Sequence, residues 1–313
     1  MQNPPKKHHF IPAFYLRRWA VNGRVVEFSM PHKTVIAKAV GPEYTGFQER
    51  LYELEGFEPE LAQQVEERFF KPVDTMAADA LENLHTHGNA AAWTVESRSA
   101  WTRFMISMLL RGPDDIATFR KQYRKDWVET TDEMEARYRV MKTPDDPETF
   151  AEWLSTAPLQ LIEKHQFEIF FSLIDNHRLG GTINNMDWRV IEIPRTAHEL
   201  LTSDRPIIRS NALKPPYGHI AIPIGPRKLF LASEDTKFLA EMERVDRHLL
   251  ARETNRAVVE GAGRFVYSTN ERQHQFVANR FGTNRLPSLF SDVLRPRNGR
   301  RGYLHGASPS SLR

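Results

Sequence analysis

Two adjacent histidines, His8 and His9, open the stretch richest in polar and aromatic groups: Lys6-Lys7-His8-His9-Phe10-Ile11-Pro12-Ala13-Phe14-Tyr15-Leu16-Arg17-Arg18-Trp19-Ala20. Imidazole titrates near neutral pH, so either ring could take a proton from water or a hydroxyl as a general base. Pro12 suits the first turn of a helix and Asn22-Gly23 ends one, which predicts a short helix from Pro12 to about Ala20. The histidines then lie just upstream of its N-terminus, where the positive end of the helix dipole disfavours imidazolium. In extended backbone their side chains leave opposite faces, so one faces a site, the other supports it, and the pair does not chelate a metal by itself. The plainer alternative is that both cap the helix while Phe14, Tyr15 and Trp19 join the core.

A carboxylate that could orient an imidazole stands in Thr202-Ser203-Asp204-Arg205-Pro206. Pro206 forces Arg205 into extended backbone, and Ser and Asp side chains bond nearby main chain, so a turn is expected there. Asp204 at that strand end either closes an Asx-type turn or faces His8 or His9. Ser203 is a nucleophile in principle, without a Gly-x-Ser-x-Gly elbow. Arg111 falls at the helical spacing of Phe104 and Met108, which puts a guanidinium at the end of a buried face, where it needs an anionic partner. Asp204 is the candidate that would join one site with the histidines. Asp114 and Asp115 are the local alternatives.

No Gly-x-x-x-x-Gly-Lys-Ser/Thr loop, Gly-x-Gly-x-x-Gly or His-Glu-x-x-His occurs, so P-loop hydrolysis, dinucleotide redox and zincin chemistry have no support. With 27% charged and 40% hydrophobic residues over 313 positions, the composition is that of an ordinary soluble protein. No apolar run approaches the roughly 20 residues that span a bilayer, and no signal-like leader is present. A cytoplasmic location is the expectation, and the absence of cysteine excludes disulfides and thiolate metal sites. The sequence pI of about 9.0 comes from the end of the chain. Arg295, Arg297, Arg300, Arg301 and Arg313 follow Asp292 with no acidic residue between them, and the body is otherwise near neutral. Residues 1–290 therefore read as one domain and 291–313 as a basic flexible arm.

The elements that must position these groups give an α+β fold. Arg24–Ser29 and Thr34–Ala37 predict a hairpin through Met30–Lys33. A helical pattern opens at Pro59, is kinked or divided by Pro72 and runs through Leu84. Trp101 to Arg111 is apolar nearly all round and should be central, with Thr94 or Ser97 as cap. Helices follow from about Ile116 to Met141 and from Glu148 to Ile174, the second interrupted near Pro158. From Asp187 the texture turns to short strands, Trp188–Ile193, Leu200–Thr202, His219–Ile222 and Lys228–Leu231, which predict a mainly antiparallel sheet. Ser233-Glu234-Asp235 opens a helix, and Arg264–Ser268 is a last strand.

The opening His8-His9-x-x-Pro12-x-x-Tyr15-Leu16, then Thr202-Ser203-Asp204-x-Pro206, Pro223-Ile224-Gly225-Pro226, and Asn255 with Ala262-x-x-Phe265-Val266-Tyr267 resemble the bacterial domain-of-unknown-function family 4238 over about residues 7 to 270. Glu66 and Arg111-Gly112-Pro113 lie where that family's glutamate and Arg-x-Pro element are expected. The resemblance implies a shared fold and site but carries no activity. It sets Tyr15, Glu66, Ser203 and Asn255 as binding candidates beside His8, His9, Arg111 and Asp204 as catalytic ones.

The expected function is hydrolysis of a phosphodiester, as a nuclease or phosphodiesterase, on nucleic acid or another phosphate-bearing ligand. The alternative from another class is a non-catalytic binding or effector module that holds an anion or a partner. A second enzymatic alternative rests on similarity of the opening to His-Asn-His nucleases, with Asn22 and His32 downstream, and it alone brings a divalent metal as cofactor. His32 follows Pro31 in an expected hairpin turn, where those nucleases place a helix. No membrane partner is expected, and oligomeric state is left open.

Overall fold

The computed structural model describes residues 6–58, 65–210 and 213–293. The expected helix start at Pro59 and most of the arginine-rich arm lie outside these residues. The N-terminal part is strand β1 (Lys7–His9), helix α1 (Ala13–Leu16), β2 (Val25–Ser29), β3 (Ile36–Val40) and β4 (Phe47–Glu49). The helical middle is α2 (Lys71–His87), preceded by a π-helical turn over Glu66–Phe70, then α3 (Val95–Leu110), α4 (Pro113–Asp126), α5 (Asp132–Met141), α6 (Phe150–Ser155), α7 (Leu159–Ile174) and α8 (His177–Asn185). The C-terminal part is β5 (Asp187–Glu192), β6 (Thr202–Ser203), β7 (Ile208–Arg209), β8 (His219–Gly225), β9 (Lys228–Ser233), α9 (Thr236–Arg244), α10 (Arg247–Gly261), β10 (Val266–Ser268), α11 (His274–Ala278) and α12 (Leu289–Val293).

All strand pairings are antiparallel, in sheets ordered β1-β4, β3-β2-β10-β6 and β5-β9-β8-β7. The α+β architecture is thus the expected one: short helix and hairpin, helical middle, antiparallel C-terminal sheet. One pairing differs from the simplest reading. The strands at Thr202 and Val266 join the N-terminal hairpin and not the C-terminal sheet, with Val266 opposite both Phe28 and Ser203. Phe28 and Val266 are fully buried, so closing that hairpin's apolar face requires strands from the far end of the chain.

Helix α3 is central because from Ala100 onward it is apolar nearly all round: Trp101, Phe104, Met105, Ile106 and Met108 are all buried. It starts at a capping box in which Thr94 and Ser97 satisfy each other's main-chain N–H groups. It packs on α2, α7 and α8, and Trp101 stacks on Phe104 at 5.1 Å. The single helix expected over 116–141 is two, because Thr131 caps a new helix by accepting from the Met134 N–H at 3.2 Å. The break near Pro158 falls as expected, between α6 and α7. Pro72 acts on its helix from the N-terminal side. It has no N–H to give back to the carbonyl of Arg68, and the preceding turn widens to an i→i−5 bond from Lys71 to Glu66.

Candidate functional site

The expected Pro12–Ala20 helix is only α1 and a 3-10 turn, Arg17–Trp19, and the histidines stand on a strand in front of it. A one-turn helix has little dipole, so the protonation of these rings must be argued from other neighbours. Strand β1 pairs Lys7, His8 and His9 with Glu49, Gln48 and Phe47. Its exit is pinned by Gly46, whose carbonyl accepts from the Phe10 and Ile11 N–H groups at 2.9 and 3.0 Å. Gly46 has φ +64, and a Cβ there would lie 3.0 Å from the Ile11 carbonyl, so the position demands glycine.

The strand sends the two imidazoles to opposite faces. His8 is fully buried, stacks on Tyr52 at 5.5 Å, and its Nδ1 accepts the Tyr52 main-chain N–H at 2.9 Å. A nitrogen that accepts carries no proton, so His8 is neutral with its hydrogen on Nε2. His9 is half-buried edge-on to Phe47. Burial holds its pKa below 6.5, opposed by a hydrogen bond to the Glu43 main chain and by the Glu43 charge, and reinforced by the charges of Arg111 and Lys7. Its Nε2 is buried and has no hydrogen-bond partner among the described residues. With the other nitrogen donating to the Glu43 carbonyl, neutral His9 keeps its lone pair at Nε2.

Arg111 ends α3 with a side chain that is 0% exposed, as the spacing predicts. Its partner is none of the three expected acids. The guanidinium donates to Asp74 Oδ1 at 2.8 Å, to the Phe10 carbonyl at 3.1 Å and to the Met108 sulfur at 3.2 Å, and lies near the rings of Phe70 and Phe104. Tyr52 completes the cluster by donating its hydroxyl to the Arg111 carbonyl at 3.0 Å. Burial raises the Asp74 carboxyl, and the Arg111 charge and hydrogen bond pull it back. Glu66 stands on the π-helical turn, with Oε2 buried and without a hydrogen-bond partner among the described residues. Burial first and then the Asp74 charge raise it to about 7, against the pull of Arg111. Arg111 therefore biases two groups in opposite senses: it favours neutral His9 and ionised Glu66.

Asp204 lies in a different constellation. Its carboxylate accepts the N–H groups of Gly263 at 2.8 Å and Arg264 at 2.7 Å, and a Cβ on Gly263 would come within 2.8 Å of Oδ2. Burial raises its pKa and these main-chain bonds lower it. Ser203 is buried and accepts the Arg205 N–H at 3.1 Å, the local turn bond expected of that motif. Asp115 pairs with Arg205 at 3.0 Å and Asp114 with Arg264 at 3.1 Å. The motif thus fastens the β6 turn to the start of β10.

Tyr15 and Asn255 also tie segments together. The Tyr15 hydroxyl lies 2.7 Å from Thr202 Oγ1 and donates to the Pro223 carbonyl at 2.7 Å, and burial pushes its pKa far up. Asn255 accepts the Leu201 N–H at 2.8 Å and donates to the Glu199 carbonyl and to Gln273. Of the eight sequence candidates, His9, Glu66 and Arg111 are electrostatically coupled through Arg111, and His8 joins them through Tyr52. Asp204, Ser203, Tyr15 and Asn255 hold main chain.

Asp74, Tyr52 and Glu43 escaped the sequence reading. Asp74 carried a signal: it lies on the stripe Phe70, Asp74, Ala77, Leu81, Leu84, an acid at a core-facing position that demands a cation. His32 and Asn22, which a His-Asn-His site would need, are in turns with φ 53 and 51. Among the described residues no group of three or more His, Cys, Asp or Glu side chains is placed to hold a metal ion. No described helix is long and apolar enough to cross a membrane.

The model of the family described as "Protein of unknown function (DUF4238)" matches residues 7–272. The chain belongs to the DUF4238 family. No curated protein and no solved structure matches it. The matched span runs from β1 past β10, and so includes both the His9–Arg111–Glu66 neighbourhood and the Asp204 turn of this DUF4238 chain.

Proposed function

We propose that the protein is a hydrolase acting on a phosphodiester, with His9 as general base. The observation that carries this reading is the neutral Nε2 of His9, buried and without a hydrogen-bond partner among the described residues, beside the charges of Arg111, Glu43 and Lys7. Burial first, and two cations against one carboxylate, hold the base unprotonated, and the cations favour an anionic substrate. Lys7 leaves β1 on the same face as His9, is exposed, and lies 4.7 Å from the Phe47 ring centre. It takes a phosphate oxygen. Arg111 is fully enclosed with each of its three nitrogens engaged, so it acts through its charge and not by touching substrate.

In this reading substrate binding opens the shielded Nε2 of His9 to a water, which gives it a proton while its oxygen attacks phosphorus. Glu66, raised to about 7, is the acid that protonates the departing oxygen. Glu43, and not Asp204, orients His9 in this reading, through its main-chain carbonyl. No step here uses a metal ion.

The test is turnover of bis(4-nitrophenyl) phosphate and of single-stranded oligonucleotides by the wild type and His9→Gln, with and without chelator. Chelator-resistant turnover lost in the variant supports the proposal; the absence of any turnover rejects it. A binding module is the second reading, and it is favoured by the shielding of His9 Nε2 and Glu66 Oε2 from solvent. Lys7-dependent retention of oligonucleotide without cleavage would select it.

A further inference from the structure

A cavity of about 220 Å³ opens between the end of α3, β7, the end of α10 and the segment leading into α12. Its apolar wall includes Met108, Leu109, Ile207 and Leu289. Four charged side chains also line it, and three are already matched: Asp115 with Arg205 at 3.0 Å, and Glu260 with Arg256 at 3.0 Å. The fourth, Arg209, is half-buried on the two-residue strand β7, and among the described residues no hydrogen bond or ion pair reaches its guanidinium. An arginine at the wall of an apolar cavity has the planar fork that takes a carboxylate through two parallel hydrogen bonds.

We propose that this cavity binds a small amphipathic monoanion, a carboxylate on an apolar body, with Arg209 taking the carboxylate. Charge selects the class. One unmatched cation is neutralised by one negative charge, whereas a phosphate monoester dianion would bring a surplus charge beside Asp115 and Glu260. Volume sets the size. A dry cavity of about 150 Å³ takes benzene, so the space here suits a single ring or a six-carbon chain with a short acid arm, about ten heavy atoms. Met108 separates this cavity from the hydrolytic site, since its sulfur accepts from Arg111 while its side chain lines the cavity wall. The two sites are therefore separable by mutation.

The experiment is calorimetric titration of the full chain with phenylacetate, hexanoate, phenylacetamide and phenyl phosphate, on the wild type, Arg209→Gln and Leu286→Trp. Leu286 lines the mouth and is 51% exposed, so a tryptophan there narrows the cavity without disturbing the core. Phenylacetate or hexanoate should bind the wild type with a Kd near or below about 1 mM. Binding should weaken about tenfold or more in Arg209→Gln and disappear in Leu286→Trp. The amide and the phosphate ester should each bind at least about tenfold more weakly than phenylacetate. No uptake of either carboxylate at about 5 mM, equal binding of the amide, or unchanged binding by Arg209→Gln overturns the proposal. Phosphodiester turnover in Arg209→Gln should equal that of the wild type, so failure here is distinct from failure of the His9 site.

Discussion

Arg111 donates to Asp74 Oδ1 at 2.8 Å, across the junction between α3 and α2, while Asp204 is spent on the N–H groups of Gly263 and Arg264. This pairing decides what each acid can do. The Arg111 charge is retained in the interior beside His9 and Glu66, where it shifts both. Asp74→Ala leaves a fully enclosed guanidinium without its counter-ion, which should cost about 3–5 kcal/mol in urea unfolding. A loss under about 1 kcal/mol would mean that the pair is not formed.

The raised pKa of Glu66 makes stability depend on pH. The unfolded carboxyl ionises near 4.5 and the folded one at about 7, so between these values only the unfolded chain loses its proton and stability falls as pH rises. The penalty is absent below 4.5 and complete above about 7. Glu66→Gln should therefore match the wild type at pH 4 and be more stable at pH 8 by about 3–4 kcal/mol, from roughly 1.4 kcal/mol for each pKa step. Thermal melts at the two pH values give the comparison, and an equal gain at both would refute a raised Glu66.

Asp204→Asn and Tyr15→Phe separate holding main chain from doing chemistry. The first removes a carboxylate that accepts two main-chain N–H groups at 2.8 and 2.7 Å; the second deletes a hydroxyl bonded to Thr202 and Pro223. Each should lower stability by about 1–3 kcal/mol and leave phosphodiester turnover at the wild-type level below the melting temperature. A drop of about a hundredfold in turnover by folded Asp204→Asn would restore Asp204 as the orienting carboxylate.

Lys7→Gln should raise KM for the phosphodiester several-fold with kcat nearly unchanged, because Lys7 meets the anion and not the reacting proton. Steady-state kinetics at low salt measure the split. An unchanged KM would remove Lys7 from the site.

The elements were legible wherever periodicity and caps agreed. The short apolar run Lys228–Leu231, the nearly all-round apolar run of α3 and the break at Pro158 all follow from local sequence. Arg111 was legible for the same reason, since it continues the face of Phe104 and Met108. Its partner was not, because Asp74 and Arg111 are 37 residues apart and meet only when α2 packs on α3. The role of Asp204 was hidden in the same way: Gly263 and Arg264 are about sixty residues downstream, and β10 had first to pair with β6. The neutral state of His9 was expected for the wrong reason. Helix α1 is a single turn, and burial with Arg111 and Lys7 does what its dipole was expected to do.

The most direct measurement is the pH dependence of kcat/KM for bis(4-nitrophenyl) phosphate in the presence of chelator, for wild type, His9→Gln and Glu66→Gln. His9, held below 6.5, must be unprotonated, and Glu66, raised to about 7, must be protonated. The wild-type profile should be a bell whose acid limb lies below pH 6.5 and whose alkaline limb falls near pH 7. His9→Gln should lose at least about a hundredfold and with it the acid limb, while Glu66→Gln should lose the alkaline limb. A profile whose limbs survive both substitutions would contradict the assignment of His9 as base and Glu66 as acid.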